Sequence, residues 1–169
     1  QEFGVPYPTI AFGTCISIEN SPSNRVGDGT SEGRNFMGRK YYGVELLGTG
    51  SMANAILGNA IGTDGSITEP AGFLIAGLRI VDASGNRIGG LAPTERNIIA
   101  HSGAGILVTT NTASALNNLL APNLVYSNAP GLALDLNGDG LTANDALDAD
   151  LGPNRLQNRP VVTNGITTG

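Results

Sequence analysis

At 169 residues the chain is long enough for one domain with a real core and short for two. Its net charge of −5 and nine scattered basic residues leave no basic patch of the kind that displaces counterions from nucleic acid. Charged residues at 14% against 40% hydrophobic exclude compositional disorder, and the longest apolar run, 71–81, is too short for a membrane span and is broken by Arg79.

Twenty-five glycines are about twice the average share, while aromatics are 5% and tryptophan is absent, so the apolar content lies in Ile, Leu, Val and Ala. That composition suits thin stacked strands better than a bulky core. Cys15 is the sole cysteine, which excludes an internal disulfide and reads as a small residue in an apolar run.

Short β-type runs follow one another, separated by Gly, Asn, Asp and Ser. In order they are Thr14–Ile18, Asn35–Met37, Gly43–Leu47, Ala55–Ile61, Phe73–Val81, Asn97–Ile99, Ile106–Thr109, Leu119–Val125 and Leu132–Leu136. Thr112–Leu120 is the best helical window, but a loop leading into a strand is the preferred reading there.

One stretch occurs twice. Asn24–Val44 and Asn86–Ile106 align without a gap at an offset of 62, matching Asn24 with Asn86, Arg25 with Arg87, Val26 with Ile88, Arg34–Asn35 with Arg96–Asn97, Gly43 with Gly105, and Val44 with Ile106. Fixed self-similarity favours a solenoid over a sandwich, because a solenoid stacks equivalent side chains above one another. The 62-residue unit is expected to span about three coils of some twenty residues. Val26, Ile88, Val44 and Ile106 should then be interior, Asn35 and Asn97 should turn their amides inward at corners, and Gly43 and Gly105 should lie in tight turns between strands. Past Val44 the register slips: Asn59 matches Asn123 at 64, which places a two-residue insertion near Thr109–Ser114.

These residues also carry a resemblance. Asn86–Gly90 (NRIGG) followed by Glu95–Ile106 (ERNIIAHSGAGI), the step Leu57–Thr63 (LGNAIGT), and the ending Leu134–Asp150 with Gly152–Val161 (GPNRLQNRPV) resemble the repeats of right-handed parallel β-helix proteins of bacterial surfaces. The resemblance implies an all-β, right-handed parallel β-helix with a loop-rich C-terminal cap. It also implies a secreted, extracellular or cell-envelope setting. Residues 1–162 are expected to form one domain that includes the acidic loop 135–152, with 163–169 as a tail. Because such scaffolds carry adhesins and carbohydrate-active enzymes alike, the resemblance fixes no activity.

The densest acidic stretch lies in that ending, where five aspartates fall within sixteen positions. Asp135, Asn137, Asp139, a glycine at the sixth place and the carbonyl of Leu141 follow the order of an EF-hand-like or dockerin-like Ca²⁺ loop. The twelfth place is Ala146, so Asp145, Asp148 or Asp150 would have to complete the shell. The alternative is an Asx-rich turn whose side chains bond backbone amides without metal.

Catalytic candidates are thin. His101, the sole histidine, would have to serve any triad, and its setting reads as a solvent-facing turn. Asp28, Glu32, Glu45, Asp64 and Glu95 are the carboxylates outside the acidic loop that a solenoid hydrolase or lyase could use; none recurs as a pair. Glu45 reads as a lone outward polar residue, Arg34, Arg39 and Lys40 as a solvated loop face, and Arg25, Arg87, Arg34 and Arg96 as loop anchors donating to carbonyls. The resulting expectation is a non-catalytic module for adhesion or glycan contact, holding structural Ca²⁺. The competing readings are a polysaccharide lyase or glycoside hydrolase, and a spacer or oligomerisation piece that forms homo-oligomers. Membrane insertion and nucleic-acid partners are not expected.

Overall fold

Short strands joined by tight corners wind the chain into about four turns of an all-β parallel solenoid. The computed structural model describes residues 12–161, so the expected tail 163–169 lies outside the described residues. The first coil holds β1 (Thr14–Glu19), β2 (Arg25–Val26) and β3 (Phe36–Met37); the second holds β4 (Tyr42–Leu47), β5 (Ala55–Ile56) and β6 (Ala60–Ile61). The third holds β7 (Ala76–Val81), β8 (Arg87–Ile88) and β9 (Ile98–Ala100), the fourth β10 (Ala104–Thr109), β11 (Leu119–Leu120) and β12 (Leu124–Tyr126). A further rung, β13 (Leu134–Leu136), starts a fifth coil.

Three parallel walls result. Sheet A stacks β1-β4-β7-β10-β13, sheet B stacks β2-β5-β8-β11 and sheet C stacks β3-β6-β9-β12. Every ladder pair is parallel, as a right-handed β-helix requires, apart from an isolated antiparallel bridge between Thr63 and Pro70. Among the described residues there is no α-helix, so 112–120 is a loop into β11.

The repeat unit is two coils, not three. On sheet B, Arg25 pairs with Ala55 and Ala55 with Arg87; on sheet C, Phe36 pairs with Ala60 and Ala60 with Ile98. Two rungs therefore carry the chain from 25 to 87 and from 36 to 98, the offset of 62 seen in the sequence. Odd and even coils differ in their corners. The first and third put residues 27–35 and 89–97 between sheets B and C, where the second and fourth have only 57–59 and 121–123. For the same reason the expected strands Ala55–Ile61 and Leu119–Val125 are each two rungs bent at an asparagine corner. The two-residue insertion falls between β10 and β11, where it was expected.

Stacked apolar side chains fill the interior. Val44, Leu78 and Ile106 form one line from sheet A and Leu46, Ile80 and Val108 another; Val26, Ile56 and Ile88 line sheet B, and Met37, Ile61 and Ile99 line sheet C. All are buried, and each contributes roughly 1.5–3 kcal/mol by leaving water. Gly43, Gly77 and Gly105 lie inside this packing rather than in turns. They sit within β4, β7 and β10 without positive φ, and an added Cβ would lie 2.7 Å from Ile61 Cγ2, 2.6 Å from Ile99 Cγ2 and 2.5 Å from Val125 Cγ1, respectively. Glycine is required there because sheet C side chains occupy the space, joined at Gly43 and Gly105 by the carbonyls of Gly77 and Ala133.

Asparagine ladders satisfy the corners. The Asn54 N–H donates to Asn86 Oδ1 at 3.0 Å and the Asn86 N–H to Asn118 Oδ1 at 3.1 Å, while the Asn86 side chain donates to the Ser51 carbonyl at 2.9 Å. Asn24 begins this line and Asn154 ends it, accepting the Asn118 N–H at 3.0 Å. The residue before each of the first four, Ser23, Ala53, Gly85 and Asn117, has φ between 56° and 68°. A second ladder of Asn35, Asn59, Asn97 and Asn123 holds the corner between sheets B and C, as expected for Asn35 and Asn97. Stacked amides of this kind leave few orphaned backbone groups. Asn154 belongs to the segment that follows β13, so this C-terminal segment closes the last coil by supplying the fifth rung of a ladder.

Candidate functional site

The weak catalytic candidates fall on three separate parts of the prism. Asp28 is in the loop after β2, Glu45 is on β4 of sheet A, and His101 is at the corner after β9. Asp28 Oδ1 accepts the Thr30 N–H at 2.8 Å and its hydroxyl at 2.6 Å, and this pair, hydroxyl first, holds the carboxyl below its ordinary value. His101 takes a left-handed φ of 56° and sets its ring edge-on to Tyr126, with centroids 5.6 Å apart. Asp64 caps its own turn through Ser66, and Glu95 pairs with Arg87 at 2.6 Å.

Glu45 points outward, as expected, but it is neither lone nor exposed. It stands in register between Ser17 and Arg79. Its Oε1 accepts from Arg79 Nη1 at 3.1 Å, and its Oε2 accepts from the Thr14 hydroxyl. The Arg79 guanidinium in turn lies over the Tyr42 ring, 5.0 Å from its centroid. Both carboxylate oxygens are thereby occupied by neighbours of the same wall. The next acid on this outward row is Asp135, reached through Arg79 and Leu107. Three strand spacings separate the two by about 14 Å, beyond the roughly 5–9.5 Å between the paired carboxylates of glycosidases.

The arginines behave as anchors. Nε of Arg25, Arg87 and Arg34 donates to the carbonyls of Gly27, Gly89 and Gly58, each at 3.1 Å. For Arg96 no side-chain bond occurs among the described residues. The Cys15 thiol is pushed up by burial, against the weaker opposing effects of the Gly38 carbonyl and Lys40, which is the reverse of what an activated nucleophile needs.

The seven expected Ca²⁺ ligands divide into two groups. Asp135, in the middle of β13, faces the turn that follows it, which carries Asn137, Asp139 and Leu141. There Asp135 Oδ1 accepts the Gly138 N–H at 3.0 Å, Oδ2 accepts the Gly140 N–H at 3.3 Å, and Asn137 Nδ2 donates to Asp139 Oδ2 at 2.8 Å. Asp145 and Asp148 belong to a bracket further on. The Asp145 N–H donates to Asn158 Oδ1 at 2.9 Å, and Asp148 Oδ1 accepts the Asn158 N–H at 2.7 Å. Asp150 lines a cleft with Asp148 and Arg155, facing the loop after β10. Among the described residues no three His, Cys, Asp or Glu side chains gather at metal-binding spacing. A hard cation in the turn would therefore draw on two carboxylates, the Asn137 amide oxygen and backbone carbonyls. Asp145 Oδ1 is buried without a partner, but on the bracket side rather than in the turn.

One structural anchor near the cleft carries no local signal in its own segment. Asp82, buried at the end of sheet A, accepts the N–H groups of Asn111, Thr112 and Ala113 at 2.7, 3.2 and 3.1 Å, and so fixes the loop after β10. Burial alone would raise its carboxyl, but the loop amides and the Thr112 hydroxyl outweigh burial and hold it below its ordinary value. A signal existed. Asp82 lies 62 residues after Asn20, which has the same left-handed φ and accepts the Gly50 N–H at 3.3 Å.

Compared with protein-family profiles, curated proteins and solved structures, the chain finds no match. Among the described residues no helix is long and apolar enough to cross a membrane.

Proposed function

We propose that this chain is a non-catalytic module of an extracellular or cell-envelope protein, a rigid β-solenoid that presents its walls to polysaccharide. The observation that carries the reading is Glu45. Of the three acids on sheet A strands, Glu19, Glu45 and Asp135, only Glu45 is buried in the wall; it spends both oxygens on Arg79 and Thr14, and the next acid on its own row is too distant to act with it. A base or nucleophile needs an unengaged oxygen within reach of the substrate. The setting rests on the resemblance of NRIGG, ERNIIAHSGAGI and the GPNRLQNRPV ending to bacterial-surface β-helix repeats.

The same reading assigns Ca²⁺ to the end of β13 and the turn after it, through Asp135, Asn137, Asp139 and the Leu141 carbonyl, while Asp145 and Asp148 serve the bracket and Asp150 lines the cleft. The ion would stiffen the start of the segment that closes the last coil; it supplies no chemistry to a substrate. Affinity electrophoresis through gels containing neutral or acidic polysaccharides tests the reading. Retardation in at least one polymer is expected, and mobility unchanged in all of them would overturn it.

A further inference from the structure

Where the two copies of the repeat diverge most sharply is the corner leading into sheet A. The first copy has Arg39-Lys40-Tyr41-Tyr42; the second, at the same offset, has His101-Ser102-Gly103-Ala104. Both run the same backbone, with left-handed φ at Arg39 (65°) and His101 (56°). The corner folds with a serine, a glycine and an alanine, so nothing in the scaffold calls for two cations and two tyrosines.

Those side chains make a platform. The Tyr41 ring packs against Phe12 at 5.0 Å between centroids with a 51° tilt, and Phe12 is 80% exposed. Leu74 and Ile75 continue it in the next coil, fixed there by N–H bonds to the carbonyls of Lys40 (3.0 Å) and Tyr41 (3.1 Å). Arg39 and Lys40 immediately precede Tyr41 in the chain. Arg25, Arg34, Arg79 and Arg87 are bound to carbonyls or carboxylates, whereas Arg39 and Lys40, like Arg96, Arg155 and Arg159, have no side-chain partner among the described residues; only at 39–40 do two such cations adjoin an aromatic pair. The backbone beneath is held by Arg39 N–H to the Ala71 carbonyl at 3.0 Å and Tyr41 N–H to the Gly13 carbonyl at 3.0 Å.

We propose that this corner is the contact site for an acidic polysaccharide, in which Phe12 and Tyr41 pack against the apolar face of a sugar ring while Arg39 and Lys40 pair with uronate carboxylates. The inference rests on the glycan reading above and names its site and its ligand class. Charge complementarity selects the ligand. Two adjacent cations without a side-chain partner among the described residues, in a chain of net charge −5, call for an anion, and a thin sugar chain meets the corner alone. A membrane surface or a nucleic-acid duplex is broad and would also face the acidic remainder. Arginine and lysine on exposed sites hold anions with a strength that salt screens, so the contact weakens as ionic strength rises.

The test is titration of the full chain with polygalacturonate, alongside neutral dextran, anionic phosphatidylserine vesicles and single-stranded DNA. Tyr41→Ala, and separately Arg39→Asn with Lys40→Gln, are each expected to weaken polygalacturonate binding about tenfold at low salt. Asparagine at 39 keeps the left-handed corner, and the charge-removing pair is expected to melt with the wild type, so it carries the test even if Tyr41→Ala disturbs folding. Binding that is unchanged in the charge-removing pair would overturn this site while leaving the general glycan reading standing. No binding of wild type to either polysaccharide would overturn both, and tighter binding to vesicles or DNA than to polygalacturonate would overturn the choice of ligand.

Discussion

Asn86 receives the backbone N–H of Asn54 on its side-chain oxygen at 3.0 Å, and its own N–H reaches Asn118 at 3.1 Å. One asparagine thus ties three successive coils, from inside a corner that is almost wholly buried. Asn86→Ala leaves a buried N–H and a buried carbonyl without partners, and should lower stability by about 2–4 kcal/mol in urea unfolding. Asn24→Ala, at the half-buried start of the same ladder, should cost less than about 1.5 kcal/mol. Equal losses would mean that the ladder contributes through local turn geometry rather than burial.

Gly77 tests the packing between sheets A and C. A methyl there meets Ile99 Cγ2 at 2.6 Å, so Gly77→Ala should destabilise by roughly 1–3 kcal/mol through overpacking. Gly65→Ala, where an added Cβ meets nothing within 4 Å, should be neutral. Thermal melts of the two variants side by side give the answer, and a neutral Gly77→Ala would place that glycine outside the core.

Asp82 makes the fold sensitive to acid. Its folded carboxyl lies below the ordinary value, so its contribution is complete above the unfolded pKa of about 3.9 and is lost as pH falls through the folded value. The wild type should therefore exceed Asp82→Asn in melting temperature at pH 7, and the gap should close as the pH is lowered past about 4. A gap that widens toward acid would reverse the sign and remove the loop amides as its cause.

Calcium should act at the C-terminal closure. Adding millimolar Ca²⁺ to chelator-treated protein is expected to raise the melting temperature, and Asp135→Asn with Asp139→Asn should abolish that rise. An Asx turn without metal would melt identically with and without the ion.

Much of this architecture is legible in the sequence, and its failures have a common cause. The offset of 62 survives because it compares coils of like kind, whose corners have the same length. The single coil is hidden because neighbours such as Asn54-Ala55-Ile56 and Asn86-Arg87-Ile88 are flanked by corners of different length, so no gapless alignment joins them. Two-residue rungs such as β2 and β8 are too short for any periodicity and are marked only by the asparagine before them. Gly43 and Gly105 recur like turn glycines, but the reason they recur lies in sheet C side chains across the core and in the carbonyls of Gly77 and Ala133, which no local pattern reveals. On the site side, Glu45 was visible as an unrepeated acid, while its partner Arg79 lies 34 residues away and is joined to it only by register.

The central claim is contact without turnover. Incubation of the chain with an acidic polysaccharide, followed by size-exclusion chromatography with light scattering, reads the bound protein and the polymer length together. The account predicts protein co-eluting with polymer whose mass does not change with time. Polymer that shortens with wild type and stays intact with Glu45→Ala would contradict it.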